Sequence, residues 1–239
     1  EGDVVAGLQD AGHEVVRIGD ARRLLARIGY WRNRCDLVFN LSVGYRGIER
    51  KIFAPAILEV AGIPYVGSTP YTLALTRHKY HAKLVVASVG VATPPAVLYS
   101  SPRSSGLDAL TYPVIVKPVA ESSGIGIDAG SVVSSATEAR DRCERIVERY
   151  RQPALAESFV SGVEIEVPLI IDASPQALGA VAITLDGVPV SEDRFLTGAL
   201  VYDDTYGFAD PPPQVDTRRA ILAAEESARI LGIRDYGRV

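Results

Sequence analysis

The sequence predicts an α/β protein that opens with a parallel α/β unit, and three observations carry that prediction. Over roughly the first 70 residues, segments with helical apolar spacing alternate with short β-branched runs. The connections between them are short, as in a parallel layer of strands crossed by helices. In the middle of the chain, the buried-type run Val114-Ile115-Val116 ends in Lys117-Pro118 and opens into a small-residue loop, Glu121-Ser122-Ser123-Gly124-Ile125-Gly126.

Composition bounds the rest. The chain has 239 residues, 47% of them apolar and 23% charged, which suits a globular protein of one or two domains. A net charge of −4 gives no reason to expect a nucleic-acid partner. No apolar run approaches the ~18 residues that span a bilayer, so no membrane partner is expected. Glu1-Gly2-Asp3 is not the start of a signal peptide, and a cytoplasmic location is the default expectation. Cys35 and Cys143 are too few for a disulfide framework, and neither they nor His13, His78 and His81 fall into a metal-ligand spacing. His78 and His81 share a helical face, where solvation is the simpler reading. The sequence contains no methionine. Either its ends are trimmed or modified methionines are missing from it.

Asp3 caps an expected helix through Val4, Val5, Leu8 and Ala11, stopped at Gly12. His13 to Ile18 and Asp36 to Leu41 read as strands, the second one buried. Ile48, Ile52, Phe53, Ile57 and Val60 trace a helix to Gly62, with Pro55 kinking or restarting it. Ile63 to Gly67 is a short strand. Ser68-Thr69-Pro70 caps a helix that continues past Leu73, carries Lys79 and Lys83 one turn apart and stops near Gly90. Thr93-Pro94-Pro95 is a linker, and a domain boundary is expected between residues 70 and 95. Ala96 to Tyr99 is a strand, followed by a polar loop.

Lys117 closes an apolar strand and so either snorkels outward or faces an anion. The glycines after it allow positive φ, and successive N–H groups there can form an anion-binding nest. A plain hairpin is the competing reading. Ser135-x-x-Glu138 is a capping box whose helix presents Ala139, Cys143, Ile146, Val147 and Tyr150, which makes Cys143 a core residue. Pro153 to Val160 is a strand, and Val163 to Val167 another whose alternation sets Glu164 and Glu166 on one face. Those carboxylates suit either a metal or ribose hydroxyls, or simply a solvated edge. Further strands are expected around Leu169 to Ile171 and Ala180 to Leu185. Arg194 to Pro213 reads as a long irregular stretch, either a functional lid or disordered. A last helix runs from about Thr217 to Leu231, and a strand begins at Tyr236 and is cut off.

Taken together, these segments resemble an ATP-grasp ligase of the D-alanine–D-alanine ligase-like branch. Ala61 to Ser68 with Ala74-Leu75 and Lys79 resembles that family's A-G-I-P-Y-x-G-S segment and following helix. Tyr112 to Pro118 resembles its Y-P-x-x-V-K-P strand, and Glu121 to Ile127 its Gly/Ser loop. Glu157-Ser158-Phe159-Val160 with Gly162 and Glu164 resembles its hinge, and Leu231-Gly232 through Val239 the strand entering its metal site. The resemblance implies an ATP-grasp fold in three parts: an N-terminal α/β domain (1–75), a lid-bearing central subdomain (76–160) and an incomplete C-terminal subdomain (161–239). It implies ATP with Mg2+ or Mn2+ as cofactors, amino-acid-like carboxylate and amine substrates, and an amide product formed through an acyl phosphate. It leaves a homodimer open. Residue by residue, it implies that Lys79 and Lys117 contact phosphates, Lys117 reaching towards the adenine as well. Glu121, Ser122, Ser123, Gly124 and Gly126 would belong to the loop over the phosphates. Glu157 would accept from the adenine amino group, Val160 would pair with the ring through its backbone, and Glu164 would take the ribose. Ser123 and Arg238 would be catalytic, Arg238 stabilising developing charge. The family's metal ligands would follow Val239. The chain departs from the family at Leu41 to Gly44, where authentic D-alanine–D-alanine ligases have His-Gly, at Thr205, the nearest match to a loop lysine, and in lacking a first-loop glutamate. These departures point away from D-alanine itself. Two further readings stay open: a ligase that cyclises one substrate or uses a non-amino-acid amine, and a nucleotide-binding protein without ligase activity.

Overall fold

A computed structural model describes residues 2–44, 47–190 and 194–239. The chain forms two compact units, Glu1–Ala74 and Leu75–Val239.

In the first unit, α1 (Gly2–Asp10) stops before Gly12, whose φ of 88° lies in the left-handed region. Two short helices that the apolar pattern did not announce follow, α2 (Ala21–Ala26) and α3 (Ile28–Arg32). Asp20 starts α2 by accepting from the N–H groups of Arg22 and Arg23. β1 (Val38–Phe39), α4 (Phe53–Ala61) and β2 (Tyr65–Val66) come next, and β1 and β2 pair in parallel with Val38 opposite Tyr65. Pro55 falls in the first turn of α4, where its missing N–H leaves no bond unmade, so the helix starts there rather than kinking. Leu24, Trp31, Ala54, Leu58 and Ile63 form this unit's core.

The expected strand at 13–18 does not form, and the one at 36–41 shrinks to two residues. The two stretches line a cavity of about 870 Å3 instead of pairing with each other. Backbone ladders need strands ~4.8 Å apart. Val16 is 53% exposed, and Leu37 and Leu41, expected to be buried, are exposed as well.

The first unit ends inside α5 (Pro70–Arg77), where Pro70 takes the first helical position and Thr69 Oγ1 accepts from Thr72 N–H. The single helix expected onward to Gly90 is broken. His78 leaves helical geometry (ψ 90°), and its Nδ1 accepts from His81 N–H, capping a new helix, α6 (Lys79–Ser88). The two imidazoles stack with centroids 3.7 Å apart, and His81 stays exposed to solvent.

The second unit continues with β3 (Ala96–Tyr99), β4 (Val114–Pro118), β5 (Val132–Val133), α7 (Ala136–Tyr150) and β6 (Ala154–Ser158). These strands make an antiparallel sheet ordered β3-β6-β4-β5. Ser135 caps α7 by accepting from Glu138 N–H, and the Glu138 carboxylate reaches back to Ser134 N–H. Ala139, Cys143 and Ile146 of α7 pack on Val114, Val116, Ala154 and Ala156. Burial in this core pushes the Cys143 thiol up to about 12, as befits a packing residue.

β7 (Ile165–Glu166), β8 (Pro168–Ile171), β9 (Pro175–Ala177), β10 (Val181–Leu185) and β11 (Val188–Pro189) follow, then α8 (Gly198–Tyr202), β12 (Tyr206–Ala209), α9 (Thr217–Leu231) and β13 (Asp235–Arg238). One sheet runs β11-β10-β12 with β7 also on β10, and another runs β13-β8-β9. α9 is capped by Asp216, and its Ala224 and Ala228 pack on Val167 and Leu169. The 194–213 stretch is not irregular. Thr197 caps α8, β12 pairs along β10, and Leu196, Leu200 and Tyr206 pack on Ile183, Leu185 and Val190. Its Asp, Gly and Pro content hid a short helix and strand whose burial comes from partners distant in sequence.

Candidate functional site

Strand register builds the centre of the site. In the β4–β6 ladder Lys117 lies opposite Leu155 and Ile115 opposite Glu157. Side chains alternate along a strand, so Val114 and Val116 face α7 while Lys117 and Glu157 share the other face. They are diagonal neighbours, within reach of long side chains. Lys117 Nζ lies 2.5 Å from Glu157 Oε1, and Lys83 Nζ, arriving from α6, lies 2.6 Å from Glu157 Oε2. Glu157 is buried. Burial works to raise its pKa, but Lys117 and Lys83 outweigh it and hold the carboxyl below its ordinary value.

A cavity of about 310 Å3 opens at this pair, lined by Lys79, Lys83, Lys117 and Glu157. Ala82, Val86, Leu155, Leu231 and Val239 supply apolar wall. Lys79 is the first residue of α6, its N–H donating to Val119 O and its Nζ to the backbone carbonyl of Glu121. Burial, then the charges of Lys117 and Arg77, depress its pKa to about 8. Three ammonium groups around one carboxylate leave an excess of positive charge beside an apolar slot, which suits a polyanion carrying a flat apolar group.

The loop after β4 adjoins this cavity without lining it. Ser123 adopts φ 56°, a left-handed geometry uncommon outside glycine, and Gly124 and Gly126 follow at 68° and 82°. A Cβ on Gly124 would stand 2.8 Å from Gly198 Cα, and one on Gly126 2.4 Å from Pro118 Cγ. Gly198 N–H donates to Ile127 O at 2.9 Å, so the loop is seated on the start of α8 by a glycine-to-glycine contact. Glu121, expected at the nucleotide, has its carboxylate engaged elsewhere. Arg77 reaches Oε2 at 3.4 Å, and Gln152 Nε2 donates to Oε1 at 3.0 Å.

Of the sequence-derived site residues, Lys79, Lys117 and Glu157 therefore meet at one cavity. Ser122, Ser123, Gly124 and Gly126 lie on the adjoining loop. Val160, 69% exposed, Glu164 and Arg238 are not part of the cavity lining. Glu164 is surface-exposed, yet partial removal from water, and then the neighbouring Glu166 charge, raise its pKa. Arg238 Nη1 pairs with Glu166 Oε2 at 3.0 Å while staying 58% exposed. The residues missed in sequence are Lys83, Arg77, Gln152 and Arg142. Lys83 was legible as the residue one turn after Lys79. The others gave no local signal, since their partners lie in distant segments.

Among the described residues, no group of three or more His, Cys, Asp or Glu could hold a metal ion, and no helix is long and apolar enough to cross a membrane.

Residues 98–231 match the family model described as the D-ala D-ala ligase C-terminus. The D-alanine–D-alanine ligase of Azoarcus sp. is 32% identical over 243 residues, covering 98% of this chain and 73% of that protein. The uncharacterized protein y4sG of Sinorhizobium fredii is 30% identical over 250 residues, covering 99% of this chain and 71% of that protein. The crystal structure of the Bacillus anthracis D-alanine–D-alanine ligase complexed with ATP superposes with a TM-score of 0.75 at 20% identity, covering 98% of this chain and 72% of that one. The last likeness establishes the fold, and the family model with the sequence relatives establishes descent: the chain belongs to the D-alanine–D-alanine ligase family, with an ATP-grasp fold.

Proposed function

We propose that the protein is an ATP-dependent carboxylate–amine ligase, and the observation that carries this reading is the Lys83–Glu157–Lys117 bridge at a cavity shared with Lys79. The donor set fits ATP. Lys79 and Lys117 would hold the phosphates, the apolar wall would take the purine, and Glu157 would accept from its amino group. The N–H groups of Ser122, Ser123, Gly124 and Gly126 would close over the β- and γ-phosphates. Val160 would pair with the base through its backbone, and Glu164 would take the ribose. Arg238, still largely exposed beside Glu166, would stabilise charge on the reacting carbonyl. Lys83 joins the set as the second cation, after Lys117, that keeps Glu157 ionised. In this reaction a carboxylate oxygen attacks the γ-phosphorus, releasing ADP and an acyl phosphate. An amine then attacks the acyl carbon, expels inorganic phosphate and gives the amide after losing a proton. A divalent metal belongs to this chemistry in the family, but no ligand cluster for it occurs among the described residues, so no step here is assigned to it. The division of the second unit into a lid-bearing part to residue 160 and a further part after it belongs to the same proposal.

The test is Mg2+-dependent ADP release against amino acids offered singly and in pairs. ADP formed only with one pair establishes the ligase and names its substrates. ADP formed with one compound alone points to cyclisation or self-ligation. Tight ATP binding without stimulation by any compound overturns the ligase reading in favour of a nucleotide-binding protein.

A further inference from the structure

Both ends of the Gly/Ser loop are tied to arginines, Arg77 and Arg142. At the start, Arg77, its side chain 4% exposed, pairs with the Glu121 carboxylate. Gln152 works from both atoms of its amide: Nε2 donates to Glu121, and Oε1 accepts from Ala120 N–H at 2.7 Å. With its carboxylate held on this side, Glu121 turns its carbonyl to the Lys79 ammonium. At the far end, Arg142 Nη2 reaches Gly126 O at 3.2 Å, Asp128 Oδ2 at 2.8 Å and Ser131 Oγ at 3.0 Å. Arg142 projects from α7, which is anchored in the core by Ala139, Cys143 and Ile146. Arg77 closes α5, one residue before the His78 break.

We propose that Arg77 and Arg142 are positioning residues that clamp the two stems of the loop, with Glu121 as the latch of the first clamp rather than a ligand of the nucleotide. The clamps fix residues 121 and 126–128 to rigid elements and leave Ser122 and Ser123, ahead of the Gly124 contact with Gly198, as the part that adapts to phosphate. Because Glu121 O holds Lys79 Nζ, the first clamp also sets the ammonium beside the loop's N–H groups before phosphate arrives. Preorganised donors of this kind lower the ordering cost of binding an anion. The inference rests on the nucleotide reading above.

The discriminating measurement is the affinity of the full chain for ATP and for adenosine, by calorimetry, in wild type, Arg77→Met, Arg77→Met/Glu121→Gln and Arg142→Met. A clamp on the phosphate loop predicts that each single variant loses about tenfold or more in ATP affinity, the size of one lost charge-assisted hydrogen bond, with adenosine affinity unchanged. The double variant, which removes the orphaned carboxylate charge, should recover part of the loss. Arg142→Met carries the test if Arg77→Met fails to fold. Equal losses for ATP and adenosine, or no loss in either, overturn the clamp while leaving the ligase reading intact. A wild type that binds neither compound overturns both.

Discussion

Two pairs of charged residues sit in strands of the second unit and behave differently. Lys117 and Glu157 lie in β4 and β6, central strands of one sheet, where the flanking Val116, Leu155 and Ala156 are fully buried. Glu166 and Arg238 lie in β7 and β13, which end their sheets' pairings, and Arg238 remains mostly in water. A charge in a continuous apolar run has no solvent to retreat to and must find a partner or a ligand. In the second pair Glu166 is sheltered, at 19% exposed, but the Arg238 guanidinium keeps its water, so the pair holds its strands less firmly. The first pair is thus enclosed on both sides, whereas the second is loosened by the solvated guanidinium of Arg238.

The largest way to break this contrast is Glu157→Ala, which leaves Lys83 and Lys117 facing each other without a counter-charge. Removing one partner of such a buried arrangement typically costs about 3–5 kcal/mol. Denaturant unfolding should show that loss, and ATP binding should vanish. Glu166→Ala, by contrast, should cost no more than about 1 kcal/mol. Equal effects of the two would erase the distinction.

Gly198→Ala comes next. Its φ is unremarkable, but a Cβ there would stand 2.6 Å from Gly124 O, so either the loop or α8 must move. ATP affinity should fall about tenfold, an amount set by overpacking costs of ~1–3 kcal/mol, with the melting point little changed if the loop is the part that yields. An unaltered affinity would mean that the loop's seat on α8 does not matter to nucleotide.

pH sharpens the picture at Lys79. Its ammonium is charged below about 8 and neutral above. Phosphate binding needs the charge, so ATP affinity should be flat below pH 8 and fall as pH rises through it. Lys79→Arg, which stays protonated throughout, should lose that decline. A wild-type profile flat to pH 10 would remove Lys79 from the phosphates.

Arg238→Ala should have the smallest structural effect. Unfolding free energy should change by less than about 1 kcal/mol, as for an exposed ion pair, and ATP affinity should hold while turnover drops. Parallel losses in affinity and turnover would argue against a role confined to the transition state.

Much of the second unit was legible in sequence. The capping box at Ser135, the apolar face through Cys143, and the Lys117 and Glu157 strands formed where their local patterns placed them, because cap chemistry and side-chain alternation are local physics. The first unit was less legible. His13 to Ile18 has a strand composition but joins no ladder among the described residues, since strand propensity by itself does not make one. The α5–α6 break escaped notice because both flanks have helical composition and the capping group is a histidine.

By itself, the sequence determined the α/β class and the resemblance to an ATP-grasp ligase, and it marked Lys79, Lys117 and Glu157 as candidates for one site. Only the tertiary structure decided that Lys83 completes the Glu157 bridge, that Glu121 turns to Arg77 and Gln152, and that the loop is seated on Gly198. The first group follows from periodicity and short motifs. The second depends on which distant segments a sheet register and two helix packings bring within hydrogen-bond reach, at separations such as the 74 residues between Lys83 and Glu157, which no local pattern encodes.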